Sequence, residues 1–133
     1  MRTVGVVLVL FWTLFGNNSA RADPKSRRAA VEKTTRDLIA KGLITSASDT
    51  QVDVTAKLVR KPLDDQAKLV ALICQEWAIV AHDEDPDGDP DAGPDDVVAN
   101  ASCDVTRNGA NLLGRTLGDA VRWETWYLRE KTR

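Results

Sequence analysis

Between Ala67 and Ala81 the chain is apolar on nearly every side that a helix would present. Ala67, Val70, Ala71, Cys74, Trp77, Ala78 and Ala81 recur at helical spacing, and Leu69, Leu72, Ile73, Ile79 and Val80 cover much of the remaining circumference. A helix apolar nearly all round has to be covered on more than one side. The segment therefore predicts a buried central helix on which everything else packs. Pro62 stops whatever precedes it, and Asp64 or Asp65 is placed to cap the exposed amides.

The same helix runs into a segment of opposite character. From Asp83 to Asp96 the chain carries eight acidic residues, Pro86, Pro90, Pro94, Gly88 and Gly93, and only Ala92 is apolar. Missing amide donors and like-charge repulsion predict a long acidic loop without helix or strand. Val97, Val98 and Ala101 then open an apolar-patterned segment that runs through Cys103 and Val105 to a turn at Asn108-Gly109. Cys74 and Cys103 flank the loop. At 1.5 Å of rise per residue each lies roughly 10–12 Å from it, provided that Cys103 is helical too. The sequence thus predicts a Cys74–Cys103 disulfide that pins an antiparallel helix hairpin with the acidic loop at its tip.

A disulfide presupposes an oxidising compartment, and the first residues agree. Arg2 is followed by an apolar run from Val4 to Trp12, then Leu14, Phe15 and Gly16, with Ala20-Arg21-Ala22 as a small-x-small step. These are the three parts of a secretory signal peptide, expected at 1–22 with cleavage before Asp23. The run is shorter than the about 20 apolar residues needed to span a bilayer, so no stable anchor is expected after cleavage. Residues 23–133 are then one exported domain, periplasmic or secreted. Phe and Met vanish with the leader, which leaves an aliphatic core with Trp as filler.

Three more segments complete the expected fold. Ser26 caps a helix carrying Val31, Thr35, Leu38 and Ile39, which ends at Gly42 with Leu43 folding back on Leu38. Thr45 to Thr50 reads as a turn. Residues 51–60 alternate like a strand, yet Ser48 and Gln51 form a capping box, and a single strand would lack a partner for its backbone; helix is favoured, with minor β structure at 51–60 as the alternative. From Asn111 to Arg129, Leu113, Leu117, Ala120, Val121, Tyr127 and Leu128 fall in helical register, weakened by Gly114 and Gly118. The expected fold class is all-α, with four or five helices.

Chemistry is sparse. Asp83, Asp85, Asp87, Gly88 and Asp91 spell D-x-D-x-D-G-x-x-D, which resembles the start of the calcium loops of EF-hands and thrombospondin-type repeats. The resemblance implies calcium held by Asp83, Asp85, Asp87 and Asp91, the one cofactor the chain suggests. It covers about nine residues, and the twelfth position, where an EF-hand needs a bidentate Glu, is Pro94. His82 is the only histidine, so three-histidine zinc chemistry is excluded. The cysteines do not form a C-x-x-C pair, and no nucleophile elbow accompanies His82. Asn100-Ala101-Ser102 is a glycosylation sequon, which matters only in a eukaryotic host.

Trp123, Trp126 and Tyr127, with Arg122 and Arg129, are the residue types that dominate binding hot spots. They are the expected partner-binding cluster. The chain has no basic aromatic groove and carries a formal charge of −2, so nucleic acid is not an expected partner. Together these readings describe an exported non-enzymatic protein that binds another macromolecule, in the manner of an inhibitor, immunity or accessory protein. The alternatives are a calcium-responsive module and, third, a hydrolytic enzyme using His82 or loop carboxylates.

Overall fold

The computed structural model describes residues 24–89 and 91–132. The expected signal peptide and its cleavage point lie outside the described residues. Within them the chain is an α/β protein built on a five-stranded mixed sheet, which corrects the all-α expectation. In order, the elements are α1 (Pro24–Ala40), β1 (Ile44–Ala47), β2 (Gln51–Val54), α2 (Ala56–Val59), α3 (Leu63–Glu84), α4 (Pro94–Ala99), β3 (Asp104–Arg107), β4 (Asn111–Leu117), β5 (Ala120–Trp123) and α5 (Thr125–Thr132).

Helix α1 ends as its sequence foretells. Gly42 takes φ 74°, the Leu43 amide donates to the Leu38 carbonyl at 3.0 Å and the Gly42 amide to Ile39 at 2.9 Å. This paired closure needs a residue that tolerates positive φ. The start differs, since the helix already runs at Pro24 and Ser26 lies inside it. The chain then turns into β1, where a loop was expected, and β1 pairs antiparallel with β2. Ser48 Oγ accepts from the amides of both Thr50 and Gln51 at 3.2 Å; the supposed capping box holds a hairpin turn instead of starting a helix.

The strand at 51–54 finds its second partner in β3, to which it runs parallel. The crossover between them contains α3. Strands β3, β4 and β5 then form an antiparallel meander, giving the order β1-β2-β3-β4-β5. The helices expected through Val105 and from Asn111 to Arg129 are therefore absent, and only α4 and the eight-residue α5 occupy parts of those spans. The turns explain why. Asn108 (φ 56°) and Gly109 (φ 75°) both take positive φ, which gives a two-residue hairpin the twist of its strands. Gly118 (φ 61°) opens the next turn. Gly114 lets β5 approach closely, since a Cβ there would meet the Arg122 carbonyl oxygen and the Trp123 ring at 2.8 Å.

Helix α3 covers one face of the sheet. Val70, Ile73, Cys74 and Val80 join Ile44, Val52, Val54, Val105 and Leu113 in the buried core. Helix α1 packs antiparallel on α3, with Trp77 Nε1 donating to Thr35 Oγ1 at 2.9 Å and the Arg28 guanidinium 5.7 Å from the Trp77 ring centre. The opposite face of the sheet is polar. There Asp53 accepts hydrogen bonds from Thr45 Oγ1, Thr106 Oγ1 at 2.8 Å and the Gly109 amide at 2.7 Å.

The Cys74–Cys103 disulfide is present, with its Cα atoms 6.1 Å apart. Cys103 sits in extended chain just before β3, so the bridge staples α3 to the sheet and does not close a helix hairpin. The Cys103 amide donates to Thr116 Oγ1 at 2.9 Å, which ties the same point to β4. The irregular acidic stretch is shorter than expected. Helix α3 continues through Asp83 and Glu84, and α4 begins at Pro94. Arg27 and Arg28 of α1 face those two acids at 2.6 Å and relieve their repulsion. Proline is tolerated in the first turn of a helix, where its missing amide has no partner to lose.

Candidate functional site

The antiparallel packing of α1 on α3 leaves a groove of about 380 Å³ toward the C-terminal end of α1. Its walls are Leu38 from α1 and Leu69, Leu72 and Ile73 from α3. The α3 residues follow from helical spacing: positions 69, 72, 73 and 76 fall on one face. The fourth of these is Glu76, a carboxylic acid where the pattern would place an aliphatic residue. Asp37 of α1, Lys41 just beyond its end, and Asp65 and Lys68 of α3 stand exposed around the groove.

Glu76 is the chemical anomaly of the molecule. Only 4% of its surface is exposed, and its Oε2 is buried with no hydrogen-bond partner among the described residues. Burial pushes its carboxyl up to about 8, so the neutral acid predominates at pH 7. A buried polar oxygen without a partner costs on the order of 1–3 kcal/mol. An aliphatic groove with one unsatisfied acid is the composition of a binding site: mostly apolar area with one placed polar group. The sequence reading missed Glu76. The available signal was a lone acid on the 69, 72, 73 stripe of a helix otherwise apolar nearly all round.

The residues singled out from sequence fall elsewhere. Tyr127 is 2% exposed and donates its hydroxyl proton to Gln66 Oε1 at 2.7 Å. Trp123, on β5, packs half-buried with its ring centre 5.4 Å from that of Tyr127. Trp126 is 44% exposed, and Arg122 and Arg129 are exposed as well. Trp123 and Tyr127 belong with the core, and Trp126 borders a concavity of about 360 Å³ that Tyr127 also lines, with Arg60, Arg107, Asn108, Asn111 and Glu130 as its polar residues.

In the acidic loop, Arg27 binds Asp83 through both carboxylate oxygens, at 2.6 and 2.9 Å. Asp85 accepts from the Asp87 amide and Asp89 from the Asp91 amide, each at 2.9 Å. Among the described residues no three His, Cys, Asp or Glu side chains are grouped so as to hold a metal ion. His82 lines a third concavity, of about 410 Å³, beside Asp49, Asp89 and Asp96. Asn100 is exposed, its side-chain amide donating to the Asp96 carbonyl at 2.8 Å.

Compared with known proteins, the chain matches no family model, no curated protein and no solved structure.

Proposed function

We propose that this chain is an exported, non-enzymatic protein that binds another macromolecule, and that the α1–α3 groove is where the partner docks. The observation that carries the reading is the aliphatic groove with the unpartnered Glu76 acid in its lining. Acid–base catalysis pairs titratable groups whose settings are tuned apart around one reacting atom, and the other titratable groups at the groove, Asp37, Lys41, Asp65 and Lys68, are exposed. One carboxyl sunk among leucine and isoleucine side chains suits holding a ligand. Export is supported by the leader pattern and by the Cys74–Cys103 bridge, which persists in oxidising compartments. No helix among the described residues is long and apolar enough to cross a membrane.

Site-specific photocross-linking in the export compartment tests the reading. A photoreactive residue at Leu72, in the groove, gives a discrete adduct with one partner. The same residue at Arg115, an exposed position of strand β4, gives none. Adducts of equal yield from both positions, or from neither, overturn the assignment of the groove.

A further inference from the structure

We propose that Glu76 is a recognition point for a cation, and that the partner segment held in the α1–α3 groove inserts a primary ammonium on an alkyl stem, as a lysine side chain does. The inference rests on the groove being a docking site and names what that site selects. Glu76 is the only acid in the lining that is buried, while Asp37 and Asp65 are exposed. Its Oε2 lacks a hydrogen-bond partner among the described residues, and neither Lys41 nor Lys68, although both line the same groove, pairs with that oxygen. None of the described residues supplies the charge that would complete this carboxyl, which points to a cation brought by the partner.

The chemistry favours an ammonium over other polar ends. A hydroxyl supplies one donor, and a carboxylate supplies none and repels the acid once ionised. An ammonium supplies three donors and no acceptor, so it can donate to the Glu76 carboxyl where that side chain lines the groove and provide the counter-charge that lets the acid ionise in apolar surroundings. Its stem matches the walls. Leu38, Leu69, Leu72 and Ile73 offer aliphatic surface along which methylene groups bury while the charged head goes deeper. Charged groups face the site from both sides, Asp37 of α1 with Lys41 just beyond its end, and Asp65 and Lys68 of α3. Their formal charges cancel, two acids against two bases, and Glu76 is left as the determinant of sign.

The test is calorimetric titration of the full chain with three probes of equal chain length: n-hexylammonium, 1-hexanol and hexanoate. The expected result at neutral pH is hexylammonium binding about tenfold or more tighter than hexanol, with hexanoate weakest. Glu76→Gln brings hexylammonium down to the level of hexanol. Leu72→Trp, which fills the groove and leaves Glu76 in place, abolishes binding of all three. In the unaltered chain, affinity for hexylammonium rises between about pH 6 and pH 9 as Glu76 becomes easier to ionise, a readout that needs no variant. Equal affinity for the three probes overturns the cation and leaves the groove standing. No binding of any probe overturns both, and binding that survives Leu72→Trp places the probes elsewhere and overturns the inference.

Discussion

At the scale of single residues, the C-terminal tie shows how much one hydroxyl can hold. Tyr127 donates to Gln66 Oε1, while the Gln66 amide donates to the carbonyls of Val59 at 3.1 Å and Lys61 at 2.8 Å. Lys131 reaches the same two carbonyls from α5, at 2.6 and 3.0 Å. Together they satisfy the open C-terminal end of α2, which is too short to be stable alone. Tyr127→Phe keeps the ring against Trp123 and strands Gln66 Oε1 in a site that is 1% exposed. The expected loss is about 1–3 kcal/mol in urea denaturation, with the slope unchanged. Helical spacing suggested a shared face for Trp123 and Tyr127, and the two rings do meet. They meet across the β5–α5 corner, a geometry that a helical projection cannot encode.

Among the elements, local signals were legible and pairings were not. The end of α1, the break at Pro62 and the buried length of α3 follow from glycine, proline and apolar spacing, which act within a few residues of themselves. The alternation at 51–54 was also visible. In sequence β1 reads as a polar turn and β3 as the end of a helix, so the strand has no evident neighbour. Asn108-Gly109 was the cue to that neighbour, since a two-residue turn with positive φ at both positions joins strands and not helices. Gly114 and Gly118, read as weak points in a helix, are a close strand contact and a turn.

The disulfide was legible from count and compartment alone, although the geometry imagined for it was wrong. Its sequence separation of 29 residues spans the whole acidic stretch. Replacing both cysteines with alanine therefore frees a long loop between the central helix and the sheet. The expected cost is about 3–4 kcal/mol, measured as a lowered urea midpoint. The loss exceeds that of most surface changes because α3 and β3 lose their only covalent tie.

For the whole molecule, the groove acid and the strand network set opposite limits on stability. Glu76 has a folded pKa of about 8 against an ordinary value of 4.5, so between those values the native state holds a proton that the unfolded chain has released. The native state is therefore most stable with respect to this group below about pH 4.5 and loses that stability as pH rises toward 8, a fall on the order of 4–5 kcal/mol across the window. Asp53 works the other way. Burial pushes its carboxyl up, but hydrogen bonds from Thr45, the Gly109 amide and Thr106, with the Arg107 charge, outweigh burial and hold it below 3.8. Its contribution is present above 3.8 and fades as acid protonates it. Stability is thus expected to peak on the acid side of neutrality and to decline through pH 8. Glu76→Gln removes the alkaline decline and leaves the acid limb intact, which urea denaturation at a series of pH values checks; a variant whose curve parallels the unaltered chain refutes the role of Glu76. A fold that keeps an acid at this cost, where leucine would pack at any pH, is carrying a group that folding alone does not require.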